Sequence, residues 1–401
     1  MLTAIVGINW GDEGKGRMVD LLSEKYDVII RYQGGNNAGH TVVNEKGKFA
    51  LNLLPSGILR DKTVNVMGPG MVIDIEHLCG EIGKLRNAGI EITPKHLKIS
   101  DKATICMPYD KLLDGLEEDR LKDRKFGSTR RGIAPVYSDK YMKKTFRMGD
   151  LKHLSALKQK IADIVEWKNL LVTAYGVPAL KAEDMYAWLE KFGAPFIDYV
   201  CDVGEYLDEA VKEGKNLLFE AQLGALRDID FGIFPYTSSS STIAAYAPIG
   251  AGIPEYRLDD VVGVMKAYST CVGEGPFTCE MFGDEAEELR KAGGEYGATG
   301  RPRRVGGFDV VLSYMKKIPV CVAYEIDGKR VEKFPFGEDL DKAKPIYEYL
   351  DGFCEDISAC RKAEDLPENA IKYIRYIEKA VGCKIKYVSV GAERDSYIEL
   401  F

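Results

Sequence analysis

The segment Gly11–Arg17 combines three glycines with two acidic and two basic residues. Gly11, Gly14 and Gly16 let backbone N–H groups approach an anion closely, and Lys15 adds a mobile positive charge. A helix that begins at such a loop favours phosphate at its N-terminus. The glycine spacing differs from the G-x-x-x-x-G-K-[ST] phosphate loop, and a glycine-rich turn alone is weak evidence. A strand-to-helix turn with solvated acids therefore explains this segment alone equally well.

A second polar and glycine-rich segment, Arg31–Val43, follows an apolar stretch of the chain. It contains His40, one of only four histidines. An isolated histidine is more often a hydrogen-bonded structural residue than a catalyst. Because loops at the carboxyl ends of neighbouring parallel strands converge in open α/β sheets, we expect His40 to share one crevice with Asp12.

Three further segments carry groups that suit an anionic ligand. Adjacent Arg130 and Arg131 in the segment 127–140 suit a phosphate, although a solvated basic turn is the simpler interpretation. The segment 219–242 ends in a serine-rich run between apolar residues, which predicts an ordered loop of hydroxyl groups rather than a linker. The segment 297–304 has three arginines among glycine and proline and suits a dicarboxylate or a phosphate.

The elements that must position these segments read as alternating strands and helices. The order of strand, glycine loop, helix and strand over residues 2–32 predicts a βαβ unit, so we expect an α/β fold with a large, mostly parallel central sheet, flanking helices and a phosphate-loop NTPase-like arrangement. Short apolar runs predict the strands Leu2–Ile8, Asp27–Tyr32, Thr63–Gly68, Asn216–Glu220, Val261–Tyr268, Pro319–Ile326 and Ile385–Gly391.

Two features predict the helical parts and the domain organisation. The segment Pro367–Gly382 has proline in its first turn, glycine at its end and one apolar stripe, which predicts a helix. Residues 151–214 have a helical pattern, and no long linker divides the chain. We therefore expect a single domain over residues 1–401 with a helical insertion at roughly 151–214. The apolar stripe of the helix predicted at Pro367–Gly382 consists of Ile371, Ile374, Ile377 and Val381.

Composition excludes several classes of protein. The 401 residues are 45% hydrophobic and 29% charged, which is ordinary for a globular protein. A net charge of −7 gives no general attraction to nucleic acid or to a membrane surface. The nine cysteines have neither zinc-site nor redox spacing, and no transmembrane stretch or signal peptide is present. We expect a cytoplasmic protein with reduced thiols, and no nucleic-acid or membrane partner.

Taken in order, the five segments resemble the adenylosuccinate synthetase family. The motifs "WGDEGKG", "NAGHT" and "GIAP" are specific as a set, and the likeness runs almost end to end. The resemblance implies a homodimeric, Mg²⁺-dependent ligase of purine biosynthesis that joins IMP to L-aspartate while GTP is broken down to GDP and phosphate. It also implies why a phosphate loop contains a carboxylate: Asp12 would take the N1 proton of IMP, so that O6 attacks the γ-phosphate, and would share the metal with the carbonyl of Gly39.

The family's other roles carry over residue by residue. Catalytic roles are implied for Asp12, His40 and Lys15, with His40 stabilising the phosphoryl group in transfer. The resemblance implies contacts with IMP or aspartate for Glu13, Asn37, Thr129, Lys143, Gln222, Ser238, Thr299, Arg301 and Arg303, where Lys143 reaches the partner subunit's IMP. It implies GTP contacts for Gly11, Gly14, Lys15, Gly16, Arg17, Gly39, Thr41, Arg303, Ser389 and Gly391.

The chain departs from the family pattern at several of these positions. Asn9 stands for a usual glutamine, Arg17 for a usual lysine, and Lys143 for an arginine, which loses the two-pronged geometry of the guanidinium. Leu223 occupies the position expected for a site glutamine, so Gln222 beside it takes that role here.

The largest departure concerns recognition of guanine. The segment 306–324 is shorter than in the family and lacks a Thr-Lys-x-Asp element whose aspartate recognises guanine. A hydrogen bond to a charged group contributes roughly 1.5–3 kcal/mol, so its loss would lower the preference for guanine by about 10- to 150-fold. Two alternatives therefore stay open: a divergent relative that uses ATP or another purine monophosphate such as dGMP, and a nucleotide-binding regulatory module without the chemistry.

Overall fold

The computed structural model describes residues 1–44, 47–296, 302–307, 317–353, 355–391 and 396–401, without the side chains of 41–44, 48 and 317. The chain forms two compact units, one of residues 1–42 and 46–264 and the other of residues 43–45 and 265–401. The expectation of a single domain stays a prediction.

The described residues of the larger unit form parallel and antiparallel strands and helices; residues 43–44, at the end of the third strand, group with the smaller unit. The strands are β1 (Leu2–Gly7), β2 (Val28–Arg31), β3 (His40–Asn44), β4 (Gly47–Leu51), β5 (Val64–Met67), β6 (Val72–Ile73), β7 (Leu97–Ser100), β8 (Thr104–Ile105), β9 (Val200–Cys201), β10 (Leu217–Gly224) and β11 (Asp260–Val264). The helices are α1 (Lys15–Leu22), α2 (Ile75–Asn87), α3 (Pro108–Leu121), α4 (Ile133–Met142), α5 (Lys158–Ala174), α6 (Ala182–Gly193), α7 (Val203–Lys212) and α8 (Ala247–Ala251).

A seven-stranded sheet organises this unit, in the order β11-β1-β10-β2-β5-β7-β9. Every neighbouring pair is parallel, which confirms the expected fold class. Strands β1, β10 and β2 are adjacent, so the loops that leave their carboxyl ends emerge side by side. The residues expected to do chemistry follow these three strands.

Both faces of the sheet are covered by apolar side chains, as parallel sheets require. On one face, Met67 and Ile99 pack with Leu78 of α2 and Ile161 of α5. On the other face, buried residues of β1, β2 and β10 pack against α7 and α8. The expected helical insertion contains α5, α6 and α7, together with the two-residue strand β9 at the edge of the sheet.

The smaller unit is built from short antiparallel sheets and three helices. Its strands are β12 (Ser269–Cys271), β13 (Arg304–Gly306), β14 (Lys317–Ile326), β15 (Lys329–Val331), β16 (Lys344–Asp351), β17 (Tyr387–Ser389) and β18 (Tyr397–Glu399), and its helices are α9 (Gly283–Gly293), α10 (Asp339–Lys342) and α11 (Glu368–Val381).

The helix predicted at Pro367–Gly382 is confirmed as α11, and Gly382 has a left-handed φ of 68° at its end. The apolar stripe is shifted from the predicted one. Ile374 and Ile377 are buried, but Val381 is 46% exposed, because it is the last residue of the helix. Tyr373 and Ala370 complete the buried face instead.

Candidate active site

The glycine-rich loop leads directly from β1 into α1. Gly14 caps α1 with a left-handed φ of 87°, and Gly11 has a φ of 112°. A side chain at residue 11 would also place its Cβ 2.7 Å from the Cα of Leu223, at the end of β10. The loop therefore needs glycine at residue 11 both for its backbone conformation and for its close approach to β10. This loop conformation places the N-terminus of α1 at the edge of the sheet, and a helix N-terminus is suited to bind a phosphate.

The two acids in this loop lie in different environments. Glu13 is buried, and its carboxylate accepts hydrogen bonds from the backbone N–H groups of Asn9 (3.0 Å) and Gly11 (2.8 Å). Its second oxygen pairs with the ammonium of Lys15 at 2.8 Å. Asp12 is half-buried. Glu13 thus shapes the loop and holds Lys15, whereas Asp12 is the acid with more access to solvent.

The side chain of Gln222 in β10 holds the polar loop that follows β2 through hydrogen bonds. This side chain is 2% exposed, accepts from the N–H of Gly35 at 3.1 Å and donates to its carbonyl at 2.9 Å. A Cβ at Gly34 would lie 1.7 Å from Oε1 of Gln222, so the loop and the amide are in tight contact. Gln222, predicted as a ligand contact, is engaged here with the loop that carries Asn37.

His40 lies beside the glycine-rich loop, at the first position of β3. A Cβ on Gly16 would be 2.5 Å from the Cβ of His40, so the first turn of α1 and the imidazole are in direct contact. Nε2 of His40 lies 3.0 Å from Oε1 of Glu220 and 3.3 Å from Nη1 of Arg31. The structure therefore brings the glycine-rich loop and the histidine of the second segment together, although β10 lies between β1 and β2.

Glu220 is a fully buried carboxylate behind this histidine. Burial raises its pKa, but its neighbours His40 and Arg31 and a hydrogen bond from the backbone of Ser56 outweigh burial and lower the pKa to about 2. Ser56 donates to it through its backbone N–H (2.8 Å) and its hydroxyl (2.9 Å). Burial lowers the pKa of Arg31, which donates to the carbonyl of Asn52 at 2.6 Å.

The loop with Thr129 is anchored by two carboxylates of α3. Asp114 accepts from the hydroxyl of Ser128 (2.6 Å) and from the N–H of Gly132 (2.8 Å). Glu118 accepts from two further backbone N–H groups of the loop. Thr129 itself is exposed, as is Lys143, which ends α4 with a left-handed φ of 63°.

The serine-rich loop is ordered, as predicted. Ser240 donates to the side chain of Gln33 at 2.9 Å, and Ser238 lies 3.4 Å from Ser240. Asp228 accepts from the N–H of Thr242, which closes the loop. The loop is thus connected to the segment that follows β2.

The remaining predicted site residues lie in the smaller unit or outside the described residues. Arg303 pairs with Glu295 at 2.9 Å, and Lys266 pairs with the same carboxylate at 2.7 Å. The hydroxyl of Ser389 donates to the carbonyl of Gly391 at 3.2 Å. Thr299 and Arg301 lie outside the described residues, and so does the side chain of Thr41.

Sequence reasoning did not single out Glu220, Arg31 or Ser56. A signal was present, because Glu220 stands in the apolar run "LLFEA", where an unpaired charge would be costly. Arg31 likewise ends an apolar strand, and the two residues are register partners across β10 and β2. Buried charges at the carboxyl ends of neighbouring parallel strands therefore mark the site as clearly as the glycines do.

Comparison with known proteins gives one family for the whole chain. The family model described as adenylosuccinate synthetase matches residues 4–314 and 311–398. Among curated relatives, the adenylosuccinate synthetase of Clostridium novyi is 41% identical over 98% of both chains, and that of Carboxydothermus hydrogenoformans is 42% identical over 99% of this chain and 98% of its own.

Solved structures agree with this result. The fully ligated adenylosuccinate synthetase of Plasmodium falciparum has a TM-score of 0.90 at 34% identity and covers 99% of both chains. The cyanophage S-2L succinoaminodeoxyadenylate synthetase shares the fold, with a TM-score of 0.58 at 18% identity over 99% of this chain and 94% of its own. The chain, with its glycine-rich loop and imidazole at one sheet edge, belongs to the adenylosuccinate synthetase family of ligases.

Proposed function

We propose that the protein joins IMP to L-aspartate to form adenylosuccinate, while GTP is converted to GDP and phosphate. The observation that supports this proposal is the close approach of Gly16 in the glycine-rich loop to His40, which brings a helix N-terminus and an imidazole together. Family membership over nearly the whole chain supports the substrates.

The residues of the crevice divide the chemistry among them. Asp12 takes the proton from N1 of IMP, and O6 then attacks the γ-phosphorus of GTP, releasing GDP. The amine of aspartate attacks C6 of the 6-phosphoryl intermediate, the C6–O6 bond breaks, and O6 leaves with the phosphate. Lys15 and the N–H groups of the first turn of α1 bind the phosphates, and His40 stabilises the phosphoryl group between the two oxygens.

The loop residues fit a magnesium ion. Mg²⁺ prefers oxygen ligands and usually takes one or two protein groups besides phosphate and water. Asp12 and the carbonyl of Gly39 supply this kind of ligand, and among the described residues no cluster of three His, Cys, Asp or Glu offers a competing site. When bound with the triphosphate, the ion neutralises charge on the phosphates.

Substrate contacts and assembly follow the family pattern. We assign IMP and aspartate contacts to Glu13, Asn37, Thr129, Gln222, Ser238, Thr299, Arg301 and Arg303, and a homodimer in which Lys143 reaches the partner's IMP. In the part of the chain that the structure describes, no helix has the length and hydropathy needed to cross a bilayer. The cytoplasmic location stays a prediction.

A second candidate function differs only in the triphosphate. The family model matches in two segments that meet at residues 311–314, inside the segment where the guanine-recognition element is missing. The alignments with the relatives span 417 and 420 positions, more than the 401 residues of the chain, so the relatives contain residues that this chain lacks. A comparison of kcat/KM for GTP and ATP at fixed IMP and aspartate concentrations tests whether ATP can replace GTP. A strong preference for GTP would exclude this second candidate function.

The assignment of the chemistry is tested with Asp12→Asn. Adenylosuccinate absorbance and inorganic phosphate are followed together with IMP, aspartate, Mg²⁺ and each triphosphate in turn. Loss of a general base lowers kcat by about 10²- to 10⁴-fold. Asp198→Asn, at an exposed position of the helical insertion, serves as the matched control and should keep full activity. Phosphate release that is equal in wild type and Asp12→Asn would point to a nucleotide-binding module without this chemistry.

A further inference from the structure

The imidazole of His40 presents its two nitrogens to two different surroundings. Nε2 points into the protein, 3.0 Å from Oε1 of Glu220. Nδ1 lies 3.4 Å from where a Cβ of residue 16 would be, beside the first turn of α1. The nitrogen next to the phosphate-binding loop is therefore Nδ1, and the side chain is only 13% exposed.

Glu220 is held in place independently of the histidine. Its side chain has no exposure, and both oxygens accept hydrogen bonds from Ser56, one from the backbone N–H and the other from the hydroxyl. Burial raises its pKa, but its neighbours His40 and Arg31 and the backbone N–H of Ser56 lower it to about 2, so the group is an anion at neutral pH. A buried anion needs donors on each oxygen.

These contacts discriminate between the two neutral forms of the ring. If Nε2 carries the proton, it donates to Glu220, and Oε1 gains a second donor besides the hydroxyl of Ser56. If Nδ1 carries it, the lone pair of Nε2 faces a carboxylate oxygen at 3.0 Å, with only Nη1 of Arg31 at 3.3 Å to compensate. Nη1 has a second N–H besides the one that donates to the carbonyl of Asn52 at 2.6 Å, but its contact with Nε2 is longer than the 3.0 Å contact of Nε2 with the carboxylate, and hydrogen bonds to a charged group are the stronger ones. The first arrangement is therefore favoured.

We infer that Glu220 is a positioning residue that keeps a proton on Nε2 of His40 and so fixes Nδ1 as the nitrogen presented to the glycine-rich loop. The catalytic meaning of this arrangement rests on the proposed function, in which His40 acts on the transferred phosphoryl group. The arrangement itself rests only on the contacts of Glu220, Ser56 and Gly16 with the ring. A carboxylate behind a catalytic histidine fixes tautomer and orientation in the same manner in other enzymes.

The substitution Glu220→Gln reverses the expected proton position. The amide oxygen has to face the backbone N–H of Ser56, so the amide nitrogen takes the place of Oε1 and donates to Nε2 of His40. The ring then carries its proton on Nδ1. Loss of the correct tautomer at a comparable carboxylate–histidine pair lowers kcat by about 10⁴-fold, and we expect a fall of about 10²- to 10⁴-fold with KM for IMP changed by less than about threefold.

The test is a nitrogen NMR experiment on the full-length protein labelled with ¹⁵N in its four histidines, with His40→Asn identifying the His40 resonances. In the wild type we expect a protonated, pyrrole-type Nε2, and in Glu220→Gln an unprotonated, pyridine-type Nε2. Ser56→Ala is the control, since it weakens the support of Glu220 but leaves the carboxylate, and Nε2 should stay protonated. Urea unfolding of each variant separates this effect from a loss of folding.

The outcomes are distinguishable. A pyridine-type Nε2 in the wild type would overturn the inference without any variant, and so would Glu220→Gln with wild-type kcat. If the wild type shows a pyrrole-type Nε2 but makes no adenylosuccinate, the proposed function fails while the positioning of His40 by Glu220 stands.

Discussion

Substitution of Gly16 by alanine should separate His40 from the glycine-rich loop while leaving the fold intact. The added Cβ would lie 2.5 Å from the Cβ of His40 and 3.1 Å from its Cγ, whereas ordinary contact begins at 3.4 Å. Gly16 is not among the glycines with positive φ, so alanine is acceptable to the backbone and the clash alone determines the outcome. The two elements must therefore move apart by close to 1 Å.

The magnitude follows from this displacement. Overpacking costs about 1–3 kcal/mol, and alanine in a helix returns at most about 1 kcal/mol relative to glycine, so the unfolding free energy should fall by about 0–3 kcal/mol. A misplacement of about 1 Å in a catalytic site can lower the rate by about 10²-fold. We expect Gly16→Ala to reduce kcat by about that factor in the adenylosuccinate assay.

Gly83→Ala provides the matched control for this prediction. Gly83 also lies in a helix, α2, but apart from the nearby backbone of that helix no atom of the described residues lies within 4 Å of the position of its Cβ. This variant should gain up to about 1 kcal/mol of stability and keep its kcat. Wild-type kcat in Gly16→Ala, or an equal loss in both variants, would refute the close approach of the loop to His40.

Three other predictions follow from buried polar groups of the two units. Gln222→Leu removes the shorter of the two acceptors of the Gly35 N–H and the side chain that donates to the Gly35 carbonyl, so urea unfolding should show a loss of about 1–3 kcal/mol, together with reduced activity; unchanged stability would mean that Gln222 does not hold the loop. The pKa of Glu220, which faces His40 and Arg31, is lowered in the folded state to about 2 from 4.5, so its stabilisation is present above pH 4.5 and is lost as the pH falls towards 2. Acid titration should therefore show that the wild type loses about 3 kcal/mol more unfolding free energy than Glu220→Gln over this range, and parallel curves for the two proteins would contradict this prediction. Glu295→Gln removes the carboxylate that pairs with both Lys266 and Arg303 and should raise KM for aspartate by about tenfold. The control Glu287→Gln, at an exposed ion pair with Arg290, should leave this KM nearly unchanged. Equal KM values in the two variants would exclude a positioning role of Glu295.

Much of the fold could be predicted from the sequence because its signals are local. The run Leu2–Ile8 is apolar throughout and ends at glycine, and it forms β1 over Leu2–Gly7, a strand buried along its whole length. The position of the second segment after β2 placed His40 at the same sheet edge as the glycine-rich loop. Both inferences need only strand length, the parallel arrangement and the position of the polar residues.

The roles of individual side chains in the site could not be read in the same way, since they depend on contacts distant in sequence. Glu13 stands beside Asp12, yet it bonds with Lys15 and two backbone N–H groups. Glu220 and His40 are 180 positions apart in the chain but lie 3.0 Å apart in the structure. Such pairs become visible only when the strand register is known.

Transfer of the purine O6 to phosphate is tested directly with IMP labelled with ¹⁸O at O6. If O6 attacks the γ-phosphorus and leaves with the phosphate when aspartate enters at C6, each inorganic phosphate released with adenylosuccinate carries one ¹⁸O atom. Mass spectrometry of the phosphate measures this directly. One labelled oxygen per phosphate is the predicted result, and unlabelled phosphate formed together with adenylosuccinate would contradict a 6-phosphoryl-IMP intermediate.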